Sequence, residues 1–219
     1  MGDHTPRTAA LFARSTSRNG YGIIDRARQE EQEGGPMAVT IRYETHALTV
    51  DNETGHATGW LPGRLSAQGR ALARAIGPRG LADGATVVFV SDLARAVETA
   101  ELAFGTSGLP IIRDARLREC NYGAQNGMPV AQLAVSRARH IDTPYPGGQS
   151  YRDVVAATRG FLRDLAAGYD GRTVVVIAHS ANKWALDHLL HGVPLEDLVD
   201  APFGWREGWH YTVPSEWGG

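Results

Sequence analysis

Four consecutive branched apolar residues, Val174-Val175-Val176-Ile177, constrain the fold of this chain more than any other segment. A strand with one wet face alternates apolar and polar residues, whereas a run that is apolar at every position needs cover on both faces. That is the situation of a central strand in a parallel sheet packed between helices. Three further β-rich runs, Val39 to Thr45, Thr86 to Val90 and a weaker Pro110 to Arg113, alternate with helical patterns. The alternation predicts a three-layer α/β/α sandwich with a mainly parallel central sheet. Helices are expected from a Ser66 cap to about Ile76, and from a cap at Ser91 or Asp92 through Ala96, Val97, Ala100 and Phe104. A third is expected from Tyr151 to Ala167. A fourth follows His179, with Trp184, Ala185, Leu186 and Leu189 turned inward until Gly192 stops it.

The 219 residues, 42% of them hydrophobic, suit one globular domain. Residues 1–36 stand apart: they are rich in Arg, Ser, Gly, Gln and Glu and end in Gly34-Gly35-Pro36. They are expected to form a disordered N-terminal extension, with the domain occupying residues 37–219. Glu30, Glu31 and Glu33 argue against a transit peptide, and no apolar stretch suggests a secretory signal. A formal net charge of −2, with both signs mixed along the chain, supplies no basic stripe for a nucleic-acid backbone. No segment reaches the roughly 20 apolar residues of a membrane helix. The single cysteine, Cys120, precludes an internal disulfide and fits a reducing compartment, so a cytoplasmic location is expected. Oligomeric state is left open, a homodimer included.

In an open parallel sheet, ligands bind beyond the carboxyl ends of the strands. Three chemically distinctive segments fall there: Thr45-His46-Ala47, Ser91 to Arg95, and Ala178-His179-Ser180. Two strands that each end in a histidine can hold two imidazoles side by side, and with Arg95 they suggest phosphoryl transfer. A neutral imidazole nitrogen attacks phosphorus and the intermediate is then released to water. Transition-state charge on the equatorial oxygens calls for an arginine and a second histidine. Glu119, in Arg116-Leu117-Arg118-Glu119-Cys120, is placed to protonate the leaving oxygen.

The ordered motifs resemble those of the histidine phosphatase superfamily, the phosphoglycerate-mutase-like group, in its branch of small phosphatases. His46-Ala47 is followed by Thr49 and Asn52, then by Gly59-Trp60, Leu65-Ser66 and Gly69. Ser91-Asp92-Leu93-Ala94-Arg95-Ala96 is similar to the segment whose arginine binds phosphate, and Leu117-Arg118-Glu119 with Gly123 and Gly127 to the one carrying the proton donor. Pro146-Gly147-Gly148-Gln149-Ser150 and Val176-Ile177-Ala178-His179-Ser180 complete the series. The resemblance implies a phosphoglycerate-mutase-like fold and a metal-independent phosphatase acting on a small phosphorylated molecule, with no cofactor. It implies His46 as nucleophile, His179 as its partner, Glu119 as proton donor and Arg95 as phosphate ligand, with Thr49, Asn52 and Ser180 around them.

One departure matters most: Thr45 stands where the superfamily has an arginine, so one phosphate-binding cation is absent. Arg42 is a poor substitute, since three strand steps of about 3.3 Å put it roughly 10 Å away and on the opposite face. Lys183, one turn after His179, is the expected replacement. A cation-poor pocket also leaves room for a ligand-binding or acid–base protein on the same scaffold, and related folds include phosphomutases. His188 and His191 lack companion ligands for a metal and read as surface or packing residues. His56 reads as a turn residue, Cys120 as a packed thiol, and Trp205, Trp209 and Trp217 as cover for the core.

Overall fold

The computed structural model describes residues 37–218, so the extension expected over residues 1–36 lies outside the described residues. From Met37 onward the chain forms one unit. Its strands are β1 Ala38–Thr45, β2 Ala85–Val90, β3 Ile111–Arg113, β4 Thr173–Ala178 and β5 Trp209–Pro214. They make one sheet in the order β3-β2-β4-β1-β5. β4 pairs parallel with β1 and β2, β2 pairs parallel with β3, and β5 runs antiparallel to β1. The sheet is mainly parallel and sits among helices, as the alternation predicted.

The apolar run in β4 explains itself in the packing. Val174 and Val176 join Phe89, Phe161, Leu165 and Trp209 on one face, while Val175 and Ile177 join Val88, Ala100 and Phe104 on the other. None of the four is more than 1% exposed. β5 was not anticipated: Trp209, Tyr211 and Val213 alternate with exposed residues as an edge strand requires, but the tryptophans had read simply as cover.

The helices are α1 Val50–Glu53, α2 Ala67–Ala82, α3 Ala94–Phe104, α4 Val130–Ala134, α5 Tyr151–Gly168, α6 Ser180–His191 and α7 Leu195–Asp200. Ser66 caps α2, its Oγ accepting from the Gly69 N–H at 3.1 Å. The helix then continues past Ile76 through Gly77 and Pro78 to Ala82. A Cβ at Gly77 would lie 2.1 Å from the Ala103 carbonyl oxygen, so glycine permits the close α2–α3 contact that carries the helix beyond its local stop signal. α3 departs from expectation at its start. Its N-cap is Leu93, without a side-chain cap, because Ser91 and Asp92 are engaged elsewhere. Ser91 Oγ bonds His179, and the Asp92 carboxylate takes both the Nε and Nη2 of Arg118. Gly192 ends α6 at φ 70°, as read from the sequence.

Candidate active site

Parallel register sets Thr45 opposite Ala178, so His46 and His179 leave neighbouring strands at one level. The ladder extends one step further, with the His46 N–H donating to the Ala178 carbonyl at 2.9 Å. The two imidazole centroids are 5.1 Å apart. On the other side of β4, Ser91 follows the last residue of β2 and donates its N–H to the Ile177 carbonyl at 3.0 Å. The first turn of α3 then brings Arg95 to the pair. Three adjacent strand ends thus assemble the site, which is the placement expected of an open parallel sheet.

Hydrogen bonds fix both tautomers. A carbonyl only accepts, so His46 Nδ1–H donates to the Ala47 oxygen at 2.8 Å and leaves a lone pair on Nε2, which Arg95 Nε–H meets at 3.2 Å. A guanidinium only donates, so His179 Nδ1 accepts from Arg95 Nη2 at 3.3 Å while His179 Nε2–H donates to Ser91 Oγ at 2.9 Å. Burial, then the nearby Arg95 charge, pushes the His46 pKa down to about 3. The same two causes, with His46 added, hold His179 well below its ordinary value. Both imidazoles are neutral at pH 7.

Arg95 is 2% exposed and its remaining donors go to the Gly59 carbonyl at 2.8 Å and the Leu61 carbonyl at 3.4 Å. Every acceptor it meets is neutral. Burial lowers its pKa from the ordinary guanidinium value, with Glu119 opposing. Glu119 lies at the start of α6: its Oε1 accepts from the N–H groups of Cys120 at 2.8 Å and Ala181 at 3.3 Å, and Oε2 accepts from Ser180 Oγ at 2.9 Å. Trp60 Nε1–H donates to the Glu119 carbonyl at 2.6 Å, tying the loop that carries the carboxylate to the Gly59 loop.

A cavity of about 600 Å³ opens over these groups, and Thr45, His46, Asn52, Arg95, Glu119 and Ser180 all line it. Other predicted residues lie elsewhere. His179 is fully buried beneath the cavity floor. Thr49 is also fully buried and caps α1, exchanging hydrogen bonds with Asn52 at 3.0 and 3.1 Å, so it shapes the wall from behind. Lys183 corrects the expectation outright. Its Nζ pairs with Asp187 on the same helix and stands 5.5 Å from the Trp209 ring, outside this cavity.

Sequence reasoning missed several wall residues. Tyr122, Arg137, Phe203, Trp205 and Glu207 reach the cavity from loops and short turns, and Glu44 and Arg79 border it from β1 and α2. Among them only Glu44 carried a signal: a carboxylate two residues before a strand-end histidine lies on the same edge. His56, read as a turn residue, also lines the cavity, with its Nδ1 3.0 Å from Thr54 Oγ1. Among the described residues, no group of three or more His, Cys, Asp or Glu side chains is arranged to hold a metal, and no helix is long and apolar enough to cross a membrane.

Residues 45–204 match the family model of the histidine phosphatase superfamily, branch 1. The chain belongs to this superfamily. It is 33% identical over 184 residues to the 2,3-bisphosphoglycerate-dependent phosphoglycerate mutase of Mesorhizobium japonicum, covering 77% of this chain and 89% of that one. A mycobacterial glucosyl-3-phosphoglycerate phosphatase, solved with VO3, is 29% identical with a TM-score of 0.64, over 74% of this chain and 86% of its own. YhfR of Bacillus stearothermophilus is 27% identical with a TM-score of 0.69, over 78% and 88%.

At Thr45, where the resemblance implies an arginine, the cavity wall carries no charge. Arg42 cannot make up the loss, because it pairs with Glu44 at 3.2 Å and with Asp83. Cys120 is buried, and burial raises its thiol pKa, which keeps it out of nucleophilic chemistry.

Proposed function

We propose that this superfamily member hydrolyses a small phosphomonoester through a phosphohistidine intermediate, without a metal or other cofactor. The observation that carries this reading is the state of His46: neutral, with Nδ1–H anchored on the Ala47 carbonyl and the Nε2 lone pair facing Arg95 beside a cavity large enough for a substrate. In the first step Nε2 attacks phosphorus and the bond from phosphorus to the alcohol oxygen breaks. Glu119, in its acid form, gives its proton to that oxygen. In the second step water attacks the phosphoryl group, Glu119 takes the water proton, orthophosphate leaves and the His46 lone pair is restored.

Arg95 passes its Nε–H from His46 to a phosphoryl oxygen as the N–P bond forms, so its charge meets the transition state where negative charge builds. His179 lies beneath as the acceptor that orients the guanidinium. Asn52, Thr45 and Ser180 shape the pocket wall, with Thr49 behind. A soluble cytoplasmic enzyme fits this chemistry.

Phosphate release from a panel of phosphomonoesters in EDTA, for wild type and His46→Ala side by side, tests the proposal. Release by wild type alone, with an acid-labile phosphoryl label on the quenched protein, is expected. Undiminished release by His46→Ala would sink it. The phosphoglycerate mutase named among the relatives favours a second reading, in which the phosphoryl group returns to another hydroxyl of the substrate rather than to water. Interconversion of phosphate isomers without orthophosphate release would select that reading.

A further inference from the structure

Three arginines and three glutamates line the cavity: Arg79, Arg95 and Arg137 against Glu44, Glu119 and Glu207. Arg79 faces Glu44 at 3.6 Å and Glu207 at 3.8 Å. Arg95 gives four of its five N–H donors to two carbonyls and two imidazoles. Arg137 differs from both. Among the described residues its guanidinium has no ion pair and no hydrogen-bonded acceptor; its Nε, like that of Arg79, is buried without a partner, but Arg79 has two carboxylates to face and Arg137 has none. It rests 5.4 Å over the Trp184 ring, in the 3-10 turn Arg137–His140.

Its neighbourhood connects it to the reacting groups. The positive charge of Arg137 and the negative charge of Glu119 both act on the Tyr122 phenol. The Tyr122 ring packs on Gly59, where a Cβ would stand 3.0 Å from Tyr122 Cδ2, and the Gly59 carbonyl is the acceptor of Arg95 Nη2. Tyr122 and Arg137 thus line the same cavity, with Tyr122 on its Gly59–Arg95 side.

The charge balance shows what is missing. Around the nucleophile, His46 and His179 are neutral and Glu119 carries its proton for the first step, so Arg95 is the one cation held at His46. A phosphomonoester dianion that meets this single cation keeps one negative charge without compensation, and desolvating it unpaired is costly. A half-buried guanidinium with an orphan Nε–H is costly in the opposite sense. Each deficit answers the other.

We propose that Arg137 is the second anion-binding cation of this site, taking over from the arginine absent at position 45 and holding an oxygen of the transferred phosphoryl group. The proposal rests on the phosphatase reading for its consequence in turnover, yet its binding arm can be tested without any turnover.

The experiment compares wild type, Arg137→Met and Arg137→Lys in two assays: orthophosphate and vanadate binding by calorimetry and thermal shift, and hydrolysis of phenyl phosphate, whose alcohol carries no charge. Loss of a charge-assisted contact predicts binding weaker by about 10- to 100-fold in Arg137→Met, with kcat/KM for phenyl phosphate falling alongside, and a partial loss in Arg137→Lys. Thr45→Arg placed in the Arg137→Met background is expected to recover binding, which a merely structural arginine would not allow. Arg137→Lys keeps the cation over Trp184 and remains informative if Arg137→Met unfolds. Anion binding that depends on Arg137 in a protein releasing no phosphate would uphold the proposal and defeat the phosphatase reading. Unchanged anion binding and phenyl phosphate turnover would overturn it while leaving the phosphatase reading intact. A loss confined to substrates with a second negative group would overturn it too, as would a wild type that binds neither anion.

Discussion

Arg42 and Arg95 are both buried guanidiniums, 5% and 2% exposed, and they keep opposite company. Arg42 meets two carboxylates, Glu44 at 3.2 Å and Asp83, with His210 3.4 Å away. Its charge is cancelled where it sits, and hydrogen bonding to Asp83 and the charge of Glu44 raise its pKa against the desolvation that would lower it. Arg95 meets only carbonyls and imidazole lone pairs, so its charge is oriented without being neutralised. The first arrangement is how a fold tolerates a buried cation. The second holds a cation ready for an anion that is not part of the protein.

Replacing each arginine with methionine separates the two roles most sharply. Arg95→Met is expected to lower kcat by about 10²- to 10³-fold, the loss typical of removing one transition-state donor, and to abolish stabilisation by vanadate. Arg42→Met is expected to leave turnover per folded molecule near wild type while costing about 3 kcal/mol in urea unfolding. That figure is at the low end for a broken buried pair because Arg79, 3.6 Å from Glu44, still faces the stranded carboxylate. Adding Glu44→Met to Arg42→Met should return much of the stability, since no buried charge is then left alone. A fall in kcat with Arg42→Met as large as with Arg95→Met would erase the distinction.

The same comparison shows what the sequence discloses. The histidine pair was legible because strand ends and parallel register are local properties, and four apolar residues in β4 fix that strand at the centre. Arg95 was legible from its motif, one turn into the helix after β2. Which cations are already neutralised was not, because that depends on contacts between distant segments. Arg42 finds Asp83 across the fold, and Arg137 and Trp205 reach the cavity from loops whose docking no periodicity announces. Ser91 looked like a helix cap, and only the neighbouring strand end turns its hydroxyl to His179. Lys183 did carry a usable signal: Asp187 follows four residues later, the spacing of a helical ion pair.

An unneutralised Arg95 also has a consequence for stability against pH. The folded His46 has its pKa pushed down to about 3 from an ordinary 6.5, by burial and by Arg95. Between these values the unfolded chain binds a proton that the folded one does not. Stability therefore rises with pH across this window and is lost as pH falls through it. One such group contributes a slope of about 1.4 kcal/mol per pH unit. Urea unfolding between pH 4.5 and 6 should show a slope shallower by up to about that amount in His46→Gln. Equal slopes would mean that His46 takes up its proton in the folded protein as readily as in the unfolded chain, against the burial and the Arg95 charge that hold it neutral.

The smallest effect is expected at Lys183, and it sharpens the comparison from the side of a cation already paired. Lys183 shares a helix with Asp187, whose other oxygen accepts from the Tyr211 hydroxyl at 2.8 Å, and its ammonium lies 5.5 Å from the Trp209 ring. Like Arg42 it is neutralised where it stands, but it is closer to the surface, and partly exposed ion pairs contribute about 0.2–1 kcal/mol. Lys183→Met should therefore cost no more than about 1 kcal/mol and leave phosphate release and vanadate binding within twofold of wild type. A tenfold loss of vanadate affinity would return Lys183 to the anion site and remove the need for Arg137. Unchanged affinity leaves the cavity's own arginines as the groups that must hold the phosphoryl oxygens.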